Sequence, residues 1–234
     1  MRLTRETAIR INRFFDRWLP PAVRDCRWLW VIPFRLFYGP SYRIFLDFKT
    51  SDTWKNQAAL DRFYADTQTA PPQRATHLNR ACFEAIAGLF SGSDVLEVGA
   101  GNCLLAKKLA ALGNRVTACD VALPETERDS AITYVPGDAV RLPFPDRSFD
   151  DAVCTHTLEH VPDVRRAVEE LRRVARRRII IVVPRQHAAL RTFDPHLHFF
   201  PYEFSVRLVF GPPRGLASCE LTGGDWLYVE EVTG

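Results

Sequence analysis

At 234 residues, with 47 % apolar and 25 % charged side chains, the chain is long enough to bury one good-sized core and too apolar to be a disordered polymer. Thirty-one basic against 28 acidic residues leave a net charge of only +3, which calls for no nucleic-acid partner. Six cysteines (Cys26, Cys82, Cys103, Cys119, Cys154, Cys219) lie far apart with no C-x-x-C pair, which suits a reducing, cytoplasmic compartment and predicts neither a zinc site nor a disulfide framework.

The charge is uneven along the chain. Residues 1–49 carry ten Arg or Lys against four acids, a net +6, and hold eleven of the 27 aromatics. Glu6, Arg10, Arg13 and Asp16 deny this segment the clean apolar stretch of a secretory signal. Its longest apolar run, Trp28 to Phe34, is far short of the ~20 residues that span a bilayer. Ala8, Ile11, Phe15 and Trp18 recur at helical spacing, with Arg10, Arg13 and Arg17 as a basic face, and Pro20-Pro21 stop that helix. Two readings fit the segment: a lid over a ligand cleft, or an amphipathic element that admits an apolar ligand or touches a membrane surface.

A second helix is predicted after Ser51 or Asp52, through Trp54, Ala58, Leu60 and Phe63. Pro71-Pro72 break the chain, which divides it into a helical extension, 1–72, and a main domain, 73–234. A third helix over about 73–90 lines up Leu78, Cys82, Ala85, Ile86 and Leu89, and Ser91-Gly92-Ser93 ends it. From Asp94 short apolar runs (95–98, 116–119, 132–135, 152–154, 179–183) alternate with helical stretches near 102–112 and 163–176, with a shorter one near 123–129. That alternation implies a parallel sheet covered on both faces. A helix near 201–210 and two strand-like runs, 216–221 and 226–232, follow, with Gly223-Gly224-Asp225 as a hairpin turn.

The sharpest motif is Asp94-Val-Leu-Glu97-Val-Gly99-Ala-Gly101-Asn102, a strand running into a glycine-rich turn and then a helix. Glycines let the backbone turn sharply and approach a ligand without a Cβ in the way. In a dinucleotide fingerprint, G-x-G-x-x-G, pyrophosphate rests on the helix N-terminus. Here the third glycine position holds Leu104, and Glu97 before the turn suits a cationic ligand better than a pyrophosphate. A plain tight turn is the competing reading. Asp120 closes the second strand, where an acid can accept from both hydroxyls of a ribose or, alternatively, cap the stretch at Val121 and Ala122. After the third strand, Asp138 can accept from an exocyclic adenine amine while the Ala139 amide donates to a ring nitrogen; singly, Gly137-Asp138 is ordinary turn chemistry. Three acids at the carboxyl ends of three successive strands share the crevice in which open parallel sheets bind ligands.

Next come Leu142-Pro143-Phe144-Pro145-Asp146-Arg147-Ser148-Phe149-Asp150, a strand to Thr155, and the turn His156-Thr157-Leu158-Glu159-His160-Val161-Pro162-Asp163. In this order the elements resemble the class I S-adenosylmethionine-dependent methyltransferases, within them the group marked by LPF-x-D-x-S-F-D and LEH-V-x-D, over about residues 80–200. The resemblance implies a Rossmann-like α/β fold. Its seven-stranded, mostly parallel sheet would carry helices on both faces and a C-terminal antiparallel hairpin, behind the N-terminal helical extension. It also implies S-adenosyl-L-methionine as cofactor, with S-adenosyl-L-homocysteine as product and no metal. The reaction implied is in-line methyl transfer to a small-molecule acceptor, apolar or lipid-like in view of the aromatic extension.

Position by position, Glu97, Gly99, Ala100, Gly101 and Asn102 match the loop beside the methionine part of the cofactor. Asp120 with Val121 matches the ribose-binding acid and its neighbour, and Asp138 with Ala139 the adenine-binding pair. Thr155 and His156 end the fourth strand near the methionine moiety and the acceptor, whereas Leu158-Glu159-His160 is architectural in this group. Two rivals belong to other classes: a fold relative that binds the cofactor as a non-catalytic interaction or regulatory module, and a nicotinamide oxidoreductase, which Leu104 disfavours.

Beyond the fifth strand, Asp194-Pro195-His196-Leu197-His198 holds two further base candidates, so the catalytic candidates are His196, His198 and His156. In an extended chain the H-x-H spacing puts both rings on one face. Acid/base or acceptor-positioning work competes there with loop packing, and a metal-ligand set is a third reading that nothing else in the chain supports. The run Arg172-Arg173-x-x-Arg176-Arg177-Arg178 reads as a solvated face near a helix C-terminus, without the interleaved aromatics of a nucleic-acid footprint. The expected partners are thus a small-molecule acceptor and, through residues 1–49, a weak peripheral contact with anionic membrane.

Overall fold

The apolar runs of the second half pair into a seven-stranded sheet: β1 (Asp94–Val98), β2 (Arg115–Asp120), β3 (Ile132–Pro136), β4 (Phe149–Thr155), β5 (Ala175–Pro184), β6 (Ala217–Thr222) and β7 (Asp225–Glu231), in the order β3-β2-β1-β4-β5-β7-β6. Pairs among β1 to β5 are parallel, and β7 runs antiparallel between β5 and β6. The computed structural model describes residues 14, 18–56, 58–60, 62–63, 78–90, 93–124 and 128–232. Its contacts divide the chain into two compact units, Met1–Arg74 with His187–Leu197, and Ala75–Gln186 with His198–Gly234.

Within the second unit the side chains alternate as a two-residue period requires. Leu96, Val98, Ala152, Cys154, Ile179, Ile181 and Tyr228 enter one core, and Val95, Val153, Ile180, Val182 and Leu227 enter the other. Both faces are therefore apolar, and helices cover each. Cys82 and Ile86, from Arg80–Ala87, pack on one side with Leu105 and Leu109 from Leu104–Ala111. The other side takes Val164, Val168 and Leu171 from Val164–Val174, with Val206 and Phe210 from Glu203–Phe210. The chain moves outward from β1 to β3, then returns to place β4 beside β1. The crevice at this change of direction is where an open α/β sheet binds its ligand.

The arginine run departs from the solvated face expected of it. Arg172 is 1 % exposed: Nε and Nη2 grip Glu230 at 2.9 and 2.7 Å, while Nη1 reaches Glu169 and the Phe210 carbonyl. Arg173 donates to Glu170, Asp146 and the carbonyls of Leu142 and Phe144, which docks the stretch from Leu142 to Asp146 onto the helix Val164–Val174. Arg177 and Arg178 both pair with the buried Asp151. Residues 176–178 lie in β5, which begins earlier than its apolar run suggests because these carboxylates neutralise the charges.

In the first unit, α1 (Pro21–Arg24), α2 (Arg27–Tyr38) and α3 (Tyr42–Asp47) follow one another. Helix α2 contains Pro33, which disguises it in the sequence; Trp30, Phe34, Phe37 and Tyr38 nonetheless bury together with Leu46 and Phe193, whose ring stacks on Phe34 at 5.1 Å. Lys49 donates to the Ala189 carbonyl and the Thr192 hydroxyl, and burial lowers its pKa to about 7 against the pull of Asp194 and Asp25.

The helix expected after Ser51 is interrupted instead. A single turn at Thr53–Lys55 ends at Asn56, whose backbone is extended, before helical residues resume at 58–60 and 62–63. The predicted helix through Ala8, Ile11 and Phe15 and much of the short one near 123–129 lie outside the described residues, as do residues 73–77 of the helix expected over 73–90. That helix begins later than expected, at Arg80, where the Asn79 side chain accepts the Cys82 amide and caps it.

Candidate active site

Strand β1 delivers Glu97 and the glycine loop to the crevice. Glu97 is 3 % exposed, and its Oε2 accepts the Ala106 amide at 2.8 Å from the first turn of Leu104–Ala111. The acid thus ties strand to helix beneath the loop. Burial raises its pKa, the Ala106 N–H lowers it and Asp120 nearby raises it, with a net value of about 8.

Gly99 has φ +73°, and a Cβ there would meet the Thr157 Oγ1 at 2.0 Å, so only glycine fits. The Gly99 and Ala100 amides donate to the Cys119 carbonyl, and the Gly101 amide donates to Asp120 Oδ2 at 2.8 Å. Asp120 Oδ1 accepts the Ala122 amide at 3.0 Å. Burial lifts the Asp120 pKa above its ordinary value, opposed by the amides of Ala122, Gly101 and Val121.

Ala100 is buried, whereas Gly101 and Asn102 are exposed at the loop tip and Val121 is 62 % exposed beyond β2. Asp138 is half-buried after β3, its Oδ1 accepting the Val140 amide, and Ala139 packs into the core. The sequence-predicted loop and acids therefore share one set of carboxyl-terminal strand ends. All belong to the second unit.

Strand β4 ends at Thr155, and His156 follows with φ +51°, a left-handed conformation that costs a non-glycine residue ~1–2 kcal/mol. Three contacts hold it there. The His156 amide donates to the Val182 carbonyl, Nδ1 lies 3.5 Å from Glu159 Oε1, and Nε2 lies 3.3 Å from Asp225 Oδ2. Burial lowers the His156 pKa, but Asp225 and Glu159 on either side outweigh it and lift it to about 9, so the ring is a cation at neutral pH. Asp225 also accepts Asn79 Nδ2 at 2.8 Å. The β6–β7 turn, Gly223 at φ +61° and Gly224 at φ +98°, presents Asp225 to this cluster.

Asn79, Thr157 and Asp225 were not singled out by the sequence reading. Thr157 lies in the turn after β4, Asp225 in the hairpin turn and Asn79 at a helix N-cap, but the contacts that bring them here, Asn79 to Asp225 and Thr157 to Gly99, join residues far apart along the chain.

Of the other two catalytic candidates, His196 is buried in the first unit, its amide donating to the Asp194 carbonyl. His198 belongs to the second unit, where Nε2 lies 3.0 Å from the Val161 carbonyl and 3.2 Å from that of Pro162. Carbonyls only accept, so that nitrogen carries the proton and this edge of the ring holds the loop.

Residues 96–183 match the family described as "Methyltransferase domain". A demethylmenaquinone methyltransferase of Mycobacterium sp. (strain JLS) is 37 % identical over 94 residues, which are 39 % of this chain and 41 % of the relative. A 27-O-demethylrifamycin SV methyltransferase of Amycolatopsis mediterranei is 27 % identical over 149 residues, 59 % of this chain and 54 % of the relative. The chain thus spans about two fifths to half the length of these curated relatives.

Among solved structures, Burkholderia thailandensis 1,6-didemethyltoxoflavin-N1-methyltransferase superposes with a TM-score of 0.56 at 18 % identity, covering 79 % of this chain and 92 % of that one. A methyltransferase from Aquifex aeolicus gives a TM-score of 0.51 at 19 % identity, covering 64 % of this chain and 87 % of that one. At such identities these two speak for the fold alone, and the fold they share is the sheet described above. Motif, sheet order and matched segment converge: residues 96–183 match a methyltransferase domain, and the chain resembles the class I S-adenosylmethionine-dependent methyltransferases.

Proposed function

We propose that the chain binds S-adenosyl-L-methionine and transfers its methyl group to a small, apolar acceptor. In this reading residues 73–234 form the catalytic domain of a cytoplasmic enzyme. Residues 1–72 are an accessory helical segment that touches anionic membrane peripherally. The observation that carries the proposal is the cradle at the ends of β1 and β2, where the glycine turn brings the Gly101 amide onto the carboxylate of Asp120.

The residues present fit this cofactor. Each Asp120 oxygen takes one backbone amide, and a carboxylate offers about four acceptor positions, which leaves capacity for a pair of ribose hydroxyls. Val121 supplies an exposed apolar surface beside that acid, and Asp138 with the Ala139 amide supplies an acceptor and a donor for the base. When bound, the cofactor contributes a sulfonium methyl for in-line displacement.

The chain's own task is then alignment and exclusion of water, and positioning alone contributes up to ~7–11 kcal/mol in well-oriented reactions. His156, cationic between two carboxylates, has no base capacity at neutral pH and serves as a positioning residue beside Thr157 and Gly99. His198 is assigned to holding its loop. The small-molecule acceptors in the names of two relatives support the substrate class. Eleven aromatics in residues 1–49 support an apolar one, and five buried thiols support a reducing compartment.

Calorimetry with S-adenosylmethionine, S-adenosylhomocysteine and NAD tests the reading. Binding of the first two with no response to NAD is expected. A response to NAD, or none to S-adenosylhomocysteine, overturns it. Transfer of labelled methyl to a panel of apolar and polar small molecules then tests the acceptor class.

A further inference from the structure

Helix α2 is apolar on two opposite sides. At roughly 100° per residue, Trp30, Phe34, Phe37 and Tyr38 fall on one side and are buried around Phe193. Trp28, Ile32 and Leu36 fall on the other, and they are 78, 69 and 44 % exposed. Surface helices ordinarily place polar side chains there, and a continuous apolar stripe marks a contact surface.

The charges beside the stripe are mainly basic. Arg27 is paired with Asp47 at 3.0 and 2.9 Å, and Arg35 and Arg43 follow with no Asp or Glu between them in the sequence. Arg35, one residue before Leu36, is exposed. With the exposed Arg43 of α3 it lines an open depression of about 640 Å³ that also involves Gly39, Pro40 and Tyr42. Among the described residues Arg43 donates only through Nε, to the Tyr42 hydroxyl at 3.1 Å, which leaves its terminal nitrogens for a further acceptor.

We propose that this face is a lipid-docking site: Arg35 and Arg43 take the phosphate of an anionic headgroup, and Trp28, Ile32 and Leu36 enter the acyl boundary. Charge complementarity names the occupant: an apolar stripe edged by Arg35 and Arg43 matches a surface that is negative outside and apolar beneath. Trp28 at the start of the stripe suits the headgroup level. No described helix is long and apolar enough to cross a membrane, so α2 lies in the plane of the interface. The proposal names the site of the peripheral contact in the functional reading above and rests on that part of it. It does not depend on methyl transfer.

Sedimentation of the full chain with phosphatidylglycerol-containing vesicles, without cofactor, decides it. The chain should pellet at low salt, less at moderate salt as charges are screened, and not at all with pure phosphatidylcholine. Arg35→Ala and Arg43→Ala should each weaken binding about fivefold, the equivalent of about 1 kcal/mol per basic residue. Ile32→Asp should abolish it with an unchanged melting temperature, since Ile32 is exposed. No pelleting at low salt, equal pelleting with the neutral lipid, or pelleting of Ile32→Asp like the parent overturns the proposal. So does a dimer that Ile32→Asp dissociates on gel filtration, because the stripe would then be a contact between copies. Calorimetry with S-adenosylhomocysteine on the same preparation reports the cofactor reading separately.

Discussion

Replacing His156 by asparagine should alter how stability depends on pH, because the ring is held as a cation between Glu159 and Asp225. Its pKa rises from 6.5 to about 9: burial opposes the charge, and the two carboxylates more than compensate. A gap of about 2.5 pH units, at about 1.4 kcal/mol each, amounts to about 3 kcal/mol. The folded value is the higher one, so this stabilisation is complete below pH 6.5 and is lost as pH rises through about 9.

Two other buried groups titrate in the same range. Glu97, held protonated to about 8, also favours the folded state at low pH, and its contribution fades between 4.5 and 8. Lys49 has the opposite sign: burial lowers it from 10.5 to about 7, the unfolded chain holds the proton more tightly, and stability rises with pH across that interval. Both are common to parent and variant, so the difference between the two proteins isolates His156. Urea unfolding followed by circular dichroism, from below pH 6.5 to above pH 9, should show a gap near 3 kcal/mol that closes at the alkaline end. A gap that stays constant across the range would refute the ion-pair argument and reduce His156 to a packing residue.

Gly99→Ala forces a Cβ to within 2.0 Å of the Thr157 hydroxyl at a left-handed backbone position; it should cost ~1–3 kcal/mol in a thermal melt and abolish S-adenosylhomocysteine binding by calorimetry. Asp120→Ala should weaken that binding by ~1–3 kcal/mol, since in the proposed binding the ribose hydroxyls lose their acceptor; unchanged affinity would remove Asp120 from the cofactor site. Arg172→Met leaves Glu230 charged and buried and should destabilise the fold by ~3–5 kcal/mol in urea unfolding, much of it recovered when Glu230 is also replaced by leucine.

What the sequence made legible was whatever repeats at short range. β5 alternates Ile179, Ile181 and Val183 against Ile180 and Val182, and a short run made wholly of β-branched residues suits a strand buried on both faces. The glycine loop and the acids at 97, 120 and 138 were legible for the same reason, because each lies at the end of such a run and the parallel order sends all the ends to one side. Helix α2 was hidden by Pro33, which argues locally against a helix, and the burial of four aromatics on one side prevails over that local cost.

The histidine cluster was hidden by distance. Asp225 reaches His156 only because β7 inserts antiparallel beside β5, a pairing set by the whole sheet and announced by nothing near either residue. Arg172 was misread on the same account: its run looks solvated until Glu230 arrives from β7 and makes burial of the cation tolerable. Both long-range pairs use an acid of β7, with Asp225 beginning that strand beside the candidate site and Glu230 one residue before its end. The antiparallel hairpin therefore supplies charge to the parallel sheet at its two ends, and it links the His156 ring to the packing of the helix Val164–Val174.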